Sequence, residues 1–325
     1  MPNSKRTALL VVSIDTKEWK ARGEQHRQQA KKSSNRHDRH DHIPRFASQQ
    51  SYELSLLSEI RFTILAGEAF RVAGEWYDSA KAYALAAALT RDAAASASLY
   101  TEAALLATKL DISFAHDYYK HAVSQHCNAL EFKSAALLQE RLANIYAKKD
   151  NLESSLEEIQ KASKFYRAAG MEKEANRALE RAAYLMGKTG DLVKSSNTYK
   201  SLVMRLLMNK KTQIFNVPRY ALRSFMLLFL ETTSKSDVSD VSCFSEVQDL
   251  IDEICQKDCR LDESSEVEFM YDIMQAVSCS DIHRFIDSVY WFNEIDALDD
   301  LMLDVLERLL NIVMQANKEA KREGG

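Results

Sequence analysis

Residues 140–199 read ERLANIYAKKDNLESSLEEIQKASKFYRAAGMEKEANRALERAAYLMGKTGDLVKSSNTY, and this stretch decides the fold. Shifted on itself by 40 residues it partly repeats, so that Glu140-Arg141 falls on Glu180-Arg181 and Leu152 falls on Leu192. Repetition at an interval of about 20–50 residues is typical of proteins built from stacked supersecondary units. The stretch therefore predicts a helical-repeat architecture.

The same register extends towards the N terminus as a triplet of a large apolar residue, a small residue three positions later and a second large residue four positions after that. The triplet occurs at Trp76-Ser79-Tyr83, Ile112-Ala115-Tyr119, Leu152-Ser155-Ile159 and Leu192-Ser195-Tyr199. The small residue lets a neighbouring helix approach, and the large ones fill the space beside it. Each unit thus resembles an elongated tetratricopeptide (TPR) hairpin of two antiparallel helices, and at least three must stack to bury their apolar faces.

Composition agrees with long helices joined by short turns, since the chain of 325 residues contains only three prolines and eight glycines. We predict an all-α, TPR-like right-handed solenoid, a twisted sheet of antiparallel helices, closed by a C-terminal helical bundle cap. The predicted regions are a basic, partly disordered N-terminal arm at 1–49, helical repeats at 50–232, an acidic bundle at 233–317 and a frayed tail at 318–325. The helices predicted for the acidic bundle are Phe244–Gln256, Ser264–Val277, Asp281–Tyr290 and Ile295–Asn317.

No catalytic or cofactor motif is present in the sequence. Phosphate loops, nucleophile elbows, paired-histidine metal helices and dinucleotide fingerprints are all missing, so we predict neither an enzyme nor a bound cofactor or metal, and no nucleic-acid partner. Cys255 and Cys259 lie one helical turn apart, but no second Cys/His pair has ligand spacing, which favours ordinary helix positions. An odd number of cysteines without a secretory signal peptide predicts a reduced, cytoplasmic setting.

The formal net charge of −4 conceals a strong asymmetry along the chain. Residues 1–45 carry a net charge of +6, residues 46–230 carry +5, and residues 231–313 carry −16. Charged helical surfaces also serve solubility, which is the simpler explanation. A swing of this size nevertheless favours two partners of opposite charge, one bound by the repeats and one by the acidic end.

Basic residues recur at equivalent places in successive repeats. The pairs concerned are Arg141 with Arg181, Arg177 with Arg181, and Arg219 with Arg223. Residues four apart share a helix face, so stacked helices with such pairs predict a basic stripe along one side of the repeats. The alternative is that these arginines pair with neighbouring glutamates such as Glu174 and Glu180.

Four stretches along the chain read AGEAFRVAGEWYDSAKAYALAAAL (66–89), SAALLQERLANIYAKKDNLESSLEEIQKASKFY (134–166), EANRALERAAYL (174–185) and IDALDDLMLDVLERLL (295–310). In this order along residues 60–313, they resemble the soluble NSF attachment proteins (SNAPs). RYALRSFMLLFL (219–230) and the acidic LDDLML favour the alpha/beta type over gamma. The resemblance implies an adaptor that binds the four-helix SNARE bundle (syntaxin-type SNAREs) and recruits the AAA ATPase NSF, which pulls the bundle apart after vesicle fusion. It further implies a role in vesicle-mediated and intracellular protein transport, at the cytoplasmic face of membranes.

The resemblance also implies which residues make contact. Carried over position by position, the SNARE contacts are Arg177, Arg181, Phe215 and Arg223, with Lys133 substituting for family basic positions occupied here by other residues. The family's apolar membrane loop corresponds to a region with only Ile43 and Phe46.

The contact with the ATPase is predicted at the acidic end, through Asp296, Asp299 and Asp300. These carboxylates lie close together, with nothing basic between Glu294 and Glu307, so the basic partner is expected on another protein.

Two other functions remain open at this point. A generic TPR-like scaffold that binds a different complex would explain the repeats equally well. A helical enzyme would require a catalytic site that the sequence does not contain. The C-terminal KREGG also departs from the acidic, leucine-containing tail of the family, which predicts altered stimulation of the ATPase.

Overall fold

The computed structural model describes residues 16–34, 45–208, 216–235 and 242–323. Across these residues it contains fourteen α-helices and no strand, which confirms the all-α, TPR-like helical-repeat fold. The helices are α1 (Thr16–Ser34), α2 (Arg45–Val72), α3 (Trp76–Leu89), α4 (Ala93–Ala107), α5 (Ile112–Asn128), α6 (Phe132–Lys148), α7 (Leu152–Ala168), α8 (Glu172–Lys188), α9 (Leu192–Met208), α10 (Val217–Lys235), α11 (Ser242–Lys257), α12 (Ser265–Ser278), α13 (Ile282–Ile295) and α14 (Asp300–Glu323).

The chain divides into two compact units, residues 1–145 and residues 146–325, with the division inside α6. In the first unit α1 packs along α2, α2 on α3, α3 on α4 and α4 on α5. Close approach depends on glycines, since a Cβ at Gly23 would lie 2.7 Å from the Phe70 ring and one at Gly67 would lie 3.0 Å from the Tyr83 ring.

Turns within the repeats are short and several need a left-handed residue. Gly170 and Gly190 follow α7 and α8 with φ values of 72° and 88°, a conformation that glycine adopts without steric cost. Three residues separate α6 from α7, α7 from α8 and α8 from α9. Asn151 caps α7 by accepting a hydrogen bond from the backbone N–H of Ser154 at 3.1 Å.

The small residue of the sequence triplet marks the helix crossing within a hairpin, and at Ser79 and Ser195 it also donates a hydrogen bond. In the first unit Ser79 Oγ donates to the Gly67 carbonyl at 2.7 Å, and in the second Ser195 Oγ donates to the Ala183 carbonyl at 2.6 Å. Both serines are fully buried. A buried hydroxyl must be satisfied, and here the facing helix supplies an extra carbonyl acceptor at each crossing.

In the second unit α7 to α10 pack in sequence, and α10 then serves as the centre of the C-terminal bundle. It contacts α11, α12 and α14 as well as α9, and it is buried along most of its length. The core around it is aromatic and aliphatic, with Phe225, Phe229 and Leu227 essentially inaccessible. Pro218 lies in the first turn of α10, where its missing N–H has no helical partner to lose.

The C-terminal helices differ from their predicted bounds in a way that matters for function. Helix α13 continues to Ile295, five residues beyond the predicted end, and α14 begins only at Asp300. Residues 296–299 form a connection between the two helices, and Asp296 and Asp299 lie in it. The predicted region boundaries at 49, 232 and 317 remain predictions. None of the helices described combines the length and apolarity needed to cross a bilayer.

Candidate functional site

A cluster of charged side chains lies on α8 and α10 of the second unit. Lys173 and Arg177 are exposed and lie one turn apart on α8, and Glu180 follows on the same side. They border a surface cavity of about 360 Å³. The cavity is lined by Lys173, Glu174, Arg177, Glu180, Asn216 and Tyr220.

Glu180 connects α8 to α10 through both of its carboxylate oxygens. Tyr220 donates its hydroxyl to Oε2 at 2.7 Å, and Arg223 donates from Nη1 to Oε1 at 3.1 Å. This carboxylate was one of the alternative partners for the basic residues of α8. Both of its oxygens accept hydrogen bonds from side chains of α10.

Arg223 is the centre of the network and is only 9% exposed. Its second terminal nitrogen, Nη2, forms a salt bridge with Asp299, so the guanidinium lies between two carboxylates. Asp299 is also the N-cap of α14, because Oδ1 accepts from the backbone N–H groups of Leu301 at 3.1 Å and Met302 at 2.9 Å. Arg223 thereby ties the start of α14 to α10 and α8.

A second arginine of α10 makes a parallel contact nearer the surface. Arg219 binds Asp296 with two hydrogen bonds, from Nη2 to Oδ1 at 2.8 Å and from Nε to Oδ2 at 3.2 Å. The side chains are 44% and 37% exposed. Exposed pairs of this kind contribute about 0–1 kcal/mol, so this bond orients the connection more than it stabilises the unit.

Two tyrosines surround the buried guanidinium. The Tyr199 ring lies 5.7 Å from Arg223 Cζ, in cation–π range. Burial raises the pKa of the Tyr199 phenol, and the positive charge of Arg223 only partly opposes this. Burial also raises the pKa of Tyr220, and its hydrogen bond to Glu180 adds to the increase. Both phenols are therefore neutral near pH 7, and the formal charges of Arg223, Glu180 and Asp299 sum to −1.

These contacts bear on two of the predictions made from sequence. Arg223 was predicted to contact the SNARE bundle; the structure shows its guanidinium buried and engaged by Glu180 and Asp299, and the SNARE contact itself stays a prediction. Asp296 and Asp299 were predicted to lack a basic partner within the chain, and that premise is wrong, because Arg219 and Arg223 supply one to each.

The remaining predicted residues fall in different places. Arg177 is exposed and Arg181 is half-buried on α8, whereas Lys133 is exposed on α6 in the first unit. Asp300 is exposed at the first position of α14, where its carbonyl accepts from Lys188 Nζ at 3.1 Å. Phe215 and Ile43 lie outside the described residues. Phe46 belongs to α2, but its side chain is also outside the described part.

Sequence reasoning missed the internal role of α10, although the sequence contained an indication of it. Arg223 stands in RYALRSFMLLFL, where apolar residues surround it at nearly every helical position. A charge buried among such residues is expected to be paired. Its partners lie 43 and 76 residues away, however, so no local spacing identifies them.

The described residues contain no group of three or more side chains arranged to hold a metal ion. Cys255 is partly buried and Cys259 is exposed.

Comparisons with known proteins give one extensive match. The family model described as "Soluble NSF attachment protein, SNAP" matches residues 21–313, nearly the whole chain. No curated protein matches the chain. Similar solved structures include the crystal structure of BtubC (BKLC) from P. vanneervenii, at 11% identity and a TM-score of 0.33, over 76% of this chain and 93% of that one. Another is the de novo designed helical repeat protein DHR64, at 15% identity and a TM-score of 0.14, over 77% of this chain and 98% of that one.

Proposed function

Because the chain belongs to the soluble NSF attachment protein family, we propose that it is a non-catalytic adaptor that binds a SNARE four-helix bundle and recruits an NSF-type AAA ATPase to disassemble it. Family membership over residues 21–313 is the observation that carries this proposal, and it supports a SNARE and NSF adaptor role in general. The same membership favours an adaptor over an enzyme. The process served would be vesicle-mediated, intracellular protein transport after membrane fusion.

The exposed basic residues of α8 support a bundle contact at this place. Lys173 and Arg177 border an open cavity, and Arg181 follows one turn later on the same helix. Glu180 is held by α10, and Glu174 also lines the cavity. Lys173, Arg177 and Arg181 outnumber Glu174, which suits this surface to an acidic helical bundle. We assign the contact to Arg177 and Arg181, with Lys133 of the first unit and Phe215 as further proposed contacts. Arg223 is assigned a positioning role instead.

A reconstitution tests the function directly. Purified chain is mixed with a preassembled SNARE bundle and NSF, with ATP and magnesium, and release of individual SNAREs is followed. Bundle binding and ATP-dependent disassembly that requires this chain are the expected results. A generic TPR-like scaffold would bind neither component, and that outcome would reject the adaptor in favour of the scaffold.

The ATPase contact is proposed at the acidic start of α14. Asp300 is its best placed residue, because Asp296 and Asp299 are engaged by arginines of the same chain. The two engaged carboxylates remain about one-third exposed and are proposed as secondary contacts.

Asp300→Lys should weaken recruitment of NSF to a preformed SNAP–SNARE complex several-fold at low salt, because it replaces an attraction with a repulsion. The difference should fade as salt rises, since the screening length falls to about 8 Å at physiological ionic strength. Pull-down of NSF across a salt series measures this, with Asp304→Lys, exposed one turn further along α14, as the matched control. Equal recruitment of NSF by the wild type, Asp300→Lys and Asp304→Lys would show that the ATPase contact does not lie at the start of α14.

Peripheral membrane contact is proposed for the region around Ile43 and Phe46, with a cytoplasmic location. Neighbouring basic residues add about 1 kcal/mol each near an anionic surface. Flotation with phosphatidylserine-containing liposomes should therefore decrease for Ile43→Ser with Phe46→Ser and for a chain lacking residues 1–49. Unchanged flotation of both variants would place any membrane contact elsewhere.

A further inference from the structure

A groove lies between α12 and α13, away from the network around Arg223. It has a volume of about 580 Å³ and an aromatic floor formed by Phe269 and Phe292. The two rings stack with their centroids 4.3 Å apart, and both are buried. The floor is therefore preformed, with side chains held in place by the core of the bundle.

Two large apolar side chains stand exposed at one end of this groove. Trp291 and Ile295 line it, each 68% exposed, and they lie one helical turn apart on α13. The core contacts of α13 are made by Phe285 and Phe292, which are buried, so neither exposed residue is needed for the core. Exposed tryptophan beside a shaped cavity is typical of protein interfaces, where tryptophan often dominates the binding energy.

The rim of the groove is strongly acidic. Its carboxylates are Glu268, Asp272, Asp281 and Asp287, whereas its basic side chains are Arg284 and the weakly basic His283. Arg284 is already committed to Asp272, with Nη2 to Oδ1 at 2.9 Å across the groove. Three carboxylates thus remain around the apolar floor, and Arg284 is the one lysine or arginine among the lining residues. Of the three, Asp281 also caps α13 by accepting from the backbone N–H of Arg284 at 3.1 Å.

We propose that this groove binds a cationic amphipathic segment of a partner protein. One large apolar side chain of the segment would enter between Trp291 and Ile295 and rest on the Phe269 and Phe292 rings. Flanking lysines or arginines of the segment would face Glu268, Asp281 and Asp287. The volume lies within the range of about 300–1,000 Å³ in which proteins hold compact ligands, and it accommodates such an anchor.

Charge decides between this occupant and two others. An anionic membrane surface would suit the exposed tryptophan, but it would be repelled by the acidic rim. A second copy docked through the same groove would set carboxylates against carboxylates. A basic segment is the occupant for which the floor and the rim are both favourable. The proposal stands apart from the SNARE and NSF contacts assigned above, because it involves none of their residues.

The test uses the full chain and a defined probe. The probe is a fluorescein-labelled amphipathic helical peptide of lysine and leucine, and its counterpart replaces every lysine with glutamate. Anisotropy should show binding of the lysine peptide, at least tenfold weaker when Trp291→Ser is combined with Ile295→Ser, and no binding of the glutamate peptide. In a chain with Trp19→Phe and Trp76→Phe, the emission of Trp291, the remaining tryptophan, should shift to the blue as the lysine peptide binds.

A matched control lies on the same helix. Ile286 and Tyr290 are also exposed on α13, at 49% and 61%, but they do not line the groove. Ile286→Ser with Tyr290→Ser should therefore leave the affinity within twofold of wild type. Equal loss in both double variants would overturn the proposal. So would binding to phosphatidylserine vesicles in preference to the peptide, or a dimer in sedimentation that disappears with the Trp291 and Ile295 substitutions.

Discussion

Replacing Arg223 with methionine should lower the free energy of unfolding of the second unit by about 3 kcal/mol. Removing one member of a buried salt bridge costs about 3–5 kcal/mol, because the remaining charge loses its compensation. The lower end applies, since Glu180 and Asp299 are about one-third exposed and water partly solvates them. Methionine keeps an apolar side chain of similar length to the aliphatic part of arginine. The decrease in the free energy of unfolding therefore comes from the lost charge and its hydrogen bonds.

A single tryptophan makes the measurement specific to this unit. Trp19 and Trp76 lie in the first unit and Trp291 in the second, so Trp19→Phe with Trp76→Phe leaves a reporter of the second unit alone. Urea unfolding followed by its fluorescence then gives the change in free energy. Arg219→Met is the matched control, because it breaks an exposed pair to the same connection and should cost no more than about 1 kcal/mol.

A variant that removes all three charges of the Arg223 network tests the explanation. Combining Arg223→Met with Glu180→Gln and Asp299→Asn removes all three charges and retains a capping side chain at residue 299. Most of the lost stability should return, since neutral replacement of a buried ion network is often close to neutral in stability. If Arg223→Met cost no more than Arg219→Met, the Arg223 network would be a surface feature without a structural role.

The Arg223 network also connects the two proposed binding surfaces. Glu180 belongs to the helix that carries Arg177 and Arg181, and Asp299 caps the helix that begins at Asp300. Arg223 bonds to both carboxylates at once. The proposed SNARE contact and the proposed ATPase contact are thus held in a defined geometry by one buried side chain.

The sequence predicted the repeat architecture well, because helical hairpins depend on short-range spacing. The small residue of the triplet predicted the helix crossing, and the structure places Ser79 and Ser195 at such crossings with a buried hydrogen bond each. The bond itself was not predicted. Its acceptor is a backbone carbonyl, which every residue offers, so no residue type identifies the one that is used.

The charged network was not predicted, for a different physical reason. Periodicity relates residues one turn or one hairpin apart, whereas Arg223 and Asp299 are 76 residues apart. They meet because α14 folds back on α10 in the C-terminal bundle. The clustered aspartates therefore suggested an external partner when the chain itself supplied the arginines. The spacing of apolar residues along the sequence determines neither the direction in which a long charged side chain points nor the residue with which it pairs.

Reversing Arg177 and Arg181 together to glutamate should weaken binding to the SNARE bundle by roughly 30-fold at low salt. An exposed ion pair contributes about 0–1 kcal/mol, and reversal turns that attraction into a repulsion of similar size. Two positions then change the free energy of binding by about 2 kcal/mol, where about 1.4 kcal/mol corresponds to a factor of ten. Sedimentation or pull-down with a purified bundle over a salt series measures the effect, which should shrink at high salt as exposed charges are screened.

Because Arg181 is half-buried, a second variant guards against a folding defect. Lys173→Glu with Arg177→Glu changes two exposed residues that border the same cavity and should weaken binding by a similar factor. Lys164→Glu with Lys194→Glu is the matched control, since it reverses two exposed charges on α7 and α9 and changes the net charge equally. Long-range attraction alone would make all three double variants equally weak, because each alters the total charge by the same amount. Loss confined to the α8 variants, with helicity unchanged, is the result expected of a specific contact, and equal loss in the control would move the SNARE contact off α8.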